Sequence, residues 1–262
     1  MPKPIQPPPQ PLEPVKWEHF LLWKRVRESL LALPDYFSTP TQISGILVTD
    51  LFTLNSVLGA MIEEQVVATL NGMRGVWDPD KKYQAYSFVR QPQTFPDVLL
   101  RKTTNGQDVL LGIELKGWYL LSKERMPNFR FTVSPSCCNE WDLLLVLPWV
   151  LSNVLSGTPI AHHPFIASAK YAALQRNYYW EHEKESQTHG QIALATGVSP
   201  YPLKSDPISD KAISDSGGNF GRLARYGIMK EYVDEMLGVD LRGVPVRDWL
   251  NFLTKHAEKK SD

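Results

Sequence analysis

Cysteine is almost absent: the 262 residues hold only Cys137 and Cys138, and these are neighbours. Adjacent cysteines rarely close a useful disulfide, and no second pair exists to complete a zinc site. Both are therefore expected as buried thiols. Net charge is absent too, since 28 Lys and Arg balance 28 Asp and Glu. That excludes a general nucleic-acid coat protein, which would be basic. It does not exclude an enzyme that meets DNA through a local patch. One such patch spans 101–131, where six cations (Arg101, Lys102, Lys116, Lys123, Arg125, Arg130) face three anions (Asp108, Glu114, Glu124). Long apolar runs are missing as well. The longest, Leu143 to Leu151, contains Pro148 and falls far short of the roughly 20 residues of a membrane span. The N-terminus is Pro-rich, not a basic segment followed by an apolar one, so it does not read as a signal peptide. A cytoplasmic protein with no membrane partner is expected. Internal repeats are lacking. No histidine spacing matches a zinc site, and His162-His163 and His182 suit the surface.

What is present divides the chain. Residues 1–15 carry seven prolines and no apolar period, which marks a flexible, polyproline-like arm. Residues 16–262 are expected as one domain: N-terminal helices over 16–71, a catalytic sheet over 83–150, and a C-terminal helical, DNA-binding part over 151–262. Trp17, Phe20, Leu21, Val26, Leu30 and Leu31 recur at helical spacing, and Pro34 is expected to stop that helix. A second helix is predicted from Phe52 to Leu70, ended by Asn71-Gly72. Tyr83 to Val89, Pro96 to Lys102 and Asp108 to Leu120 read as strands. The Asn105-Gly106 turn cue makes 83–120 an antiparallel hairpin or three-stranded meander. Asp142 to Leu147 lacks alternation, as in a strand buried on both faces. Helices are predicted over Ala167 to Glu185, from Gly221 to Leu237 with Gly238 closing it, and after Pro245. The expected fold is α/β (α+β), a central mixed sheet flanked by helices on both faces.

One constellation carries chemistry. Pro96-Asp97 opens one predicted strand, and Glu114-Leu115-Lys116 lies in the next, across the Asn-Gly turn. Residues two apart in a strand share a face, so Glu114 and Lys116 project together while Leu115 points into the core. A paired hairpin brings Asp97 towards them. Phosphodiester hydrolysis uses such a set. Mg²⁺ takes oxygen ligands and needs only one or two carboxylates besides water and substrate phosphate. It polarises the phosphorus centre and lowers the pKa of a bound water. A lysine beside it can orient the attacking water and stabilise phosphate charge. Burial lowers that lysine's pKa and the carboxylates raise it; the sequence leaves the winner open. Spacing alone also allows Glu114 and Lys116 to be the solvent face of an edge strand.

Phe95-Pro96-Asp97, sixteen residues and then Glu114-Leu115-Lys116 resemble the PD-(D/E)XK signature of restriction endonucleases and related nucleases. The resemblance covers about 52–150. It implies a restriction-endonuclease-like core in which a helix precedes the strands, with a glutamate facing the site. Glu63-Glu64 occupy that place, and Glu63, which shares a helix face with Val66, Val67 and Leu70, is the better fit. The core also implies a buried strand after the signature strand, a part that Asp142 to Trp149 can fill. The resemblance further implies hydrolysis leaving a 5′-phosphate, with Asp97, Glu114 and the Leu115 carbonyl binding Mg²⁺.

Three segments suit DNA. Ser122 to Ser136 carries Lys123, Arg125 and Arg130 beside the signature strand, and reads as a phosphate-contacting or simply solvated loop. Gln175 to Trp180 offers Arg176 and three aromatics, for base contact or for packing into a core. Ser214 to Arg225 sets Gly217, Gly218, Asn219 and Gly221 before Arg222 and Arg225. It reads as a backbone anion site with an arginine clamp, or as a glycine-rich helix cap. Three readings of function remain. The first is a type II restriction enzyme acting on double-stranded DNA, a homodimer because a two-fold protein matches a palindromic site. The second is a structure-selective repair nuclease, separated from the first by whether cleavage follows sequence or DNA shape. The third is an inactive DNA-binding module, which the intact Asp97, Glu114 and Lys116 oppose.

Overall fold

The computed structural model describes residues 6–47, 50, 54–91, 94–104, 108–122, 125–127, 129–184 and 190–258. Lys123, the Asn105-Gly106 turn and the predicted helix start at Phe52 lie outside them.

The apolar runs assemble into one mixed six-stranded sheet. Strands β1 (Tyr86–Arg90), β2 (Val98–Lys102) and β3 (Val109–Tyr119) form an antiparallel meander, as the sequence predicts for 83–120. Strand β4 (Leu143–Leu151) adds parallel to β3. Strands β5 (Pro159–Ala161) and β6 (Phe165–Ser168) share the other edge of β4, both antiparallel. Every residue of β4 is buried, as its unalternating sequence requires of a strand covered on both faces. Pro148 is tolerated there for a local reason. Its carbonyl accepts the His162 N–H at 2.8 Å, so its nitrogen points to the same edge. That edge is the gap between the stretches paired with β6 and β5, and the missing N–H breaks no ladder bond.

A parallel pair needs a long crossover, usually an α-helix. Between β3 and β4 the described residues carry only a 3₁₀ turn, Pro135–Cys137. Both cysteine thiols are buried there, and neither forms a disulfide. The helices come from elsewhere: α1 (Phe20–Leu31), α2 (Leu33–Tyr36), α3 (Leu54–Gly72), α4 (Arg74–Trp77), α5 (Ala169–Tyr178), α6 (Lys230–Leu237) and α7 (Val246–Glu258). On α3, Leu54, Leu58, Ile62, Val66 and Leu70 are buried at helical spacing. Asn71 then ties the helix to the sheet: its Nδ2 donates to the Phe88 carbonyl at 2.8 Å and its Oδ1 accepts the Phe88 N–H at 3.0 Å. Helix α5 starts with Ser168 as its cap, the hydroxyl accepting from Tyr171 N–H at 3.2 Å.

Three local expectations are corrected. Pro34 does not stop the first helix. Helix α1 ends at Leu31, and Pro34 sits in the first turn of α2, where a missing N–H costs nothing. The helix predicted from Gly221 to Leu237 begins only at Lys230. Gly221 and Gly227 have φ of 87° and 79°, a left-handed backbone that an α-helix excludes, and only a 3₁₀ turn, Leu223–Arg225, forms between them. The predicted Ala167–Glu185 helix is α over Ala169–Tyr178 and then a π-helical turn over Tyr179–Glu183. The described part of the Pro-rich arm has no helix or strand before Phe20, yet it is tethered: Gln10 Nε2 donates to the Tyr171 hydroxyl at 3.0 Å. Trp17 stacks on Trp141 at 4.3 Å. No described helix is long and apolar enough to cross a membrane.

Candidate active site

Strand β2 starts to pair with β3 only at Val98, opposite Ile113, whereas β3 continues to Tyr119. Beyond that pair the two strands part and leave a notch. Asp97 fills it. Its Oδ2 accepts the Leu115 N–H at 2.9 Å, so a side-chain carboxylate takes the place of a ladder carbonyl. N–H and C=O of one strand residue point to the same edge, so the Leu115 carbonyl faces the notch as well. Glu114 and Lys116, two apart on β3, project together into it. Lys116 Nζ lies 2.7 Å from Glu114 Oε1 and 3.6 Å from Asp97 Oδ2. The three predicted residues therefore meet at one point, in a largely apolar setting where Glu114 is only 6% exposed.

Burial and proximity set the charges. Desolvation, and then the negative charge of Glu114, push the Asp97 carboxyl up to about 7, against the pull of Lys116 and the Leu115 N–H. Burial pulls Lys116 down, but the carboxylates of Glu114, Asp97 and Glu63 outweigh it, and its pKa rises. The contest that the sequence leaves open is won by the anions, so Lys116 is an ammonium at neutral pH. That suits it to stabilise negative charge and not to take a proton.

Glu63, on α3, adds to the negative charge felt by Lys116, while Glu64 is exposed. Glu63 is not free: Arg90 Nε and Nη2 donate to its Oε2 at 3.0 and 2.8 Å. Arg90, the last residue of β1, is one that sequence reasoning missed. So is Gln91, whose N–H donates to the Asp97 carbonyl at 2.6 Å. Asp142 lies behind the site, fully buried. It accepts the Gly112 N–H at 2.8 Å, the Asn139 N–H at 2.8 Å and the Tyr201 hydroxyl at 2.9 Å. Gly112 has to be glycine, because a Cβ there would come within 2.6 Å of Pro96 Cγ and 2.9 Å of Asp142 Oδ1.

The expected DNA-contacting residues are distributed unevenly. Arg125 and Arg130 are exposed. Arg130 bridges to Arg222 along the backbone, and its guanidinium lies over Gly218, where a Cβ would overlap it. Arg222 Nε donates to the Gly218 carbonyl at 2.9 Å, and Arg225 Nη1 donates to Asn219 Oδ1. This cluster is joined to the site, since Phe131, next to Arg130, packs against Phe95 with ring centroids 6.2 Å apart. In the glycine-rich segment part of the backbone is already engaged. Asp215 already accepts the N–H groups of Asn219 and Phe220 at 2.8 and 3.1 Å, and the Gly221 N–H goes to the Tyr226 hydroxyl. The guanidinium groups of Arg130, Arg222 and Arg225 gather beside this segment. Arg176 is corrected. It is wholly buried. Its Nη2 donates to Asp210 Oδ2 at 2.6 Å, and its Nη1 donates to the carbonyls of Phe131 and Val133, both at 2.9 Å. It holds the 131–133 segment in place and presents nothing to a base.

Among the described residues no group of three or more His, Cys, Asp or Glu side chains is disposed to hold a metal ion. A magnesium ion does not need three. Two carboxylates and a backbone carbonyl are hard oxygen donors of the kind it takes, with waters completing the shell. Two like charges pressed together out of water are also what a cation relieves. The donor chemistry of Asp97, Glu114 and the Leu115 carbonyl therefore fits Mg²⁺. No family model matches the chain, and no curated protein or solved structure matches it.

Proposed function

We propose that the protein is a Mg²⁺-dependent endodeoxyribonuclease with a restriction-endonuclease-like core, cutting double-stranded DNA in the manner of a type II restriction enzyme. One observation carries the reading: Asp97, Glu114 and Lys116 converge at the β2–β3 notch, with the lysine 2.7 Å from one carboxylate and 3.6 Å from the other. The meander, the parallel β4 and a preceding helix that carries Glu63 support it.

In this reading Asp97, Glu114 and the Leu115 carbonyl hold the ion. Bound there, Mg²⁺ supplies Lewis acidity and a more acidic water. Lys116, kept cationic by its neighbours, faces the scissile phosphate and stabilises the charge that builds on it. The Leu115 N–H fixes the Asp97 carboxylate, so the ligand is oriented before substrate arrives. Arg130, Arg222 and Arg225 contact the DNA backbone, with Arg125 beside them; such contacts position a duplex without reading it. A homodimer follows if the target is palindromic.

The deciding experiment incubates the purified protein with plasmid and phage DNA, in Mg²⁺ and in EDTA, beside Glu114→Ala. Discrete Mg²⁺-dependent fragments that vanish in the variant support a restriction enzyme. Cleavage confined to branched or damaged DNA points to a repair nuclease. Tight DNA binding with no cleavage of any substrate removes the catalytic assignment.

A further inference from the structure

Arg90 is held in an unusual way for an arginine at the edge of a charged notch. Its Cα pairs with that of Val98, the residue after Asp97, and the next residue, Gln91, donates its N–H to the Asp97 carbonyl at 2.6 Å. The backbone of Arg90 is thus fixed beside Asp97, and its partner Glu63 adds to the negative charge that raises Lys116. Two of its five N–H donors, on Nε and Nη2, converge on a single oxygen, Glu63 Oε2. A guanidinium edge is shaped to meet two oxygens of a planar or tetrahedral anion in parallel, and one oxygen leaves that geometry half used. Among the described residues the Nη1 end makes no hydrogen bond. The pair is open to solvent, with Arg90 32% and Glu63 26% exposed, so it adds little to stability. Around the notch three carboxylates (Glu63, Asp97, Glu114) face two cations (Lys116, Arg90). Without a bound metal ion, an incoming phosphodiester meets a net negative rim.

We propose that Arg90 is a phosphate-binding residue of this site, parked on Glu63 in the free protein and released to a phosphodiester oxygen pair when DNA enters the notch. The proposal rests on the nuclease reading and extends it by a subsite. Glu63 is then a placeholder for the phosphate, and Arg90 grips the strand on the β1 side of the notch while the Arg130–Arg222 cluster grips it elsewhere.

Binding of a mixed-sequence duplex is measured in EDTA over a range of NaCl concentrations, for the unchanged chain, Arg90→Gln, Arg90→Lys and Glu63→Gln, with melting temperatures alongside. One lost phosphate contact flattens the slope of log K against log[salt] by roughly 0.9. Arg90→Gln is expected to flatten it by that amount, Arg90→Lys to keep it, and Glu63→Gln, which frees the guanidinium, to bind DNA more tightly. An unchanged slope in Arg90→Gln overturns the proposal. So does equal weakening by Arg90→Gln and Glu63→Gln, the mark of a purely structural ion pair. If Arg90→Gln does not fold, Glu63→Gln decides alone: tighter binding supports the proposal and weaker binding overturns it. Mg²⁺-dependent cleavage by the unchanged chain keeps the two ideas apart. A chain that cuts DNA but shows no Arg90 effect loses only the subsite, and one that neither binds nor cuts DNA loses both.

Discussion

The ammonium of Lys116 stands 2.7 Å from Glu114 Oε1, two residues back on the same strand. The contact keeps the lysine charged and gives it no route to act as a base. Lys116→Ala removes a preorganised positive charge from a buried site, and such groups typically contribute about 10²–10³-fold to turnover. The expected outcome is a fall of that order in Mg²⁺-dependent cleavage under saturating DNA, with little change in duplex affinity in EDTA. Parallel loss of binding and cleavage would instead make Lys116 a docking residue.

Arg176 is a prediction about stability. Its guanidinium and the Asp210 carboxylate are both 0% exposed and paired at 2.6 Å. Removing one member strands the other as a buried charge, which costs about 3–5 kcal/mol. Arg176→Ala is expected to lower the urea midpoint accordingly, and Arg176→Met with Asp210→Leu to recover much of the loss. The salt slope for DNA binding stays the same in any variant that folds. A base-contacting Arg176 would show the reverse: normal stability and altered cleavage specificity.

Gly112→Ala tests the packing behind the site. The added Cβ meets Pro96 and Asp142 at 2.6 and 2.9 Å, closer than neighbours tolerate. Overpacking of this kind costs about 1–3 kcal/mol. Because Pro96 precedes Asp97, the strain is passed to the carboxylate, and cleavage is expected to fall further than thermal unfolding alone predicts. A variant with wild-type turnover and lowered melting temperature would separate Gly112 from the site.

What was legible in the sequence was what local periodicity fixes. Glu114 and Lys116 share a face because strands repeat every two residues; the approach of Asp97 was only allowed by the spacing, since it depends on the β2–β3 register and on the Leu115 N–H that its carboxylate accepts. Strand β4 was legible because an unbroken apolar run has few other homes. Arg90 was not, because its position at the notch depends on the β1–β2 register and nothing in its neighbours marks it. Arg176 was misread for a similar reason: its partner, Asp210, is 34 residues away and the helical pattern cannot point to it. The Asp215-Ser216-Gly217-Gly218-Asn219 string carried its own warning. An aspartate ahead of glycines folds back on the following amides, and here Asp215 takes the N–H groups of Asn219 and Phe220.

Asp142 links acidity to stability. Burial raises its carboxyl to about 6, against the pull of the N–H groups of Asn139 and Gly112 and the Tyr201 hydroxyl. A raised acid binds its proton more tightly when folded than unfolded. Its contribution is therefore most favourable below the unfolded value of about 3.9 and is lost as pH climbs to about 6. Each pKa unit is worth about 1.4 kcal/mol, so the change approaches about 3 kcal/mol. The stability of the protein relative to Asp142→Asn is expected to fall by that order between pH 4 and pH 7, read by urea unfolding at each pH. A difference that stays flat over that range would mean that the three hydrogen bonds fully offset burial.

Metal binding can be read without any cleavage. A ligand that binds only the folded state stabilises it by about 2.7 kcal/mol at a hundred times its dissociation constant. If Asp97, Glu114 and the Leu115 carbonyl hold the ion, Mg²⁺ in place of EDTA raises the melting temperature of the unchanged chain, and the gain disappears in Glu114→Gln. Ca²⁺, a hard cation with the same oxygen preference, is expected to raise it as well. Among the described residues Zn²⁺ meets no thiolate or imidazole beside these donors, and it should give no comparable gain through this site. The Lys116→Ala variant sharpens the test. With the ammonium gone, Asp97 and Glu114 repel without a counter-ion, so the variant is expected to melt earlier than the unchanged chain in EDTA and to gain more from Mg²⁺. Equal gains in all three proteins would put the ion elsewhere and remove the notch as a metal centre.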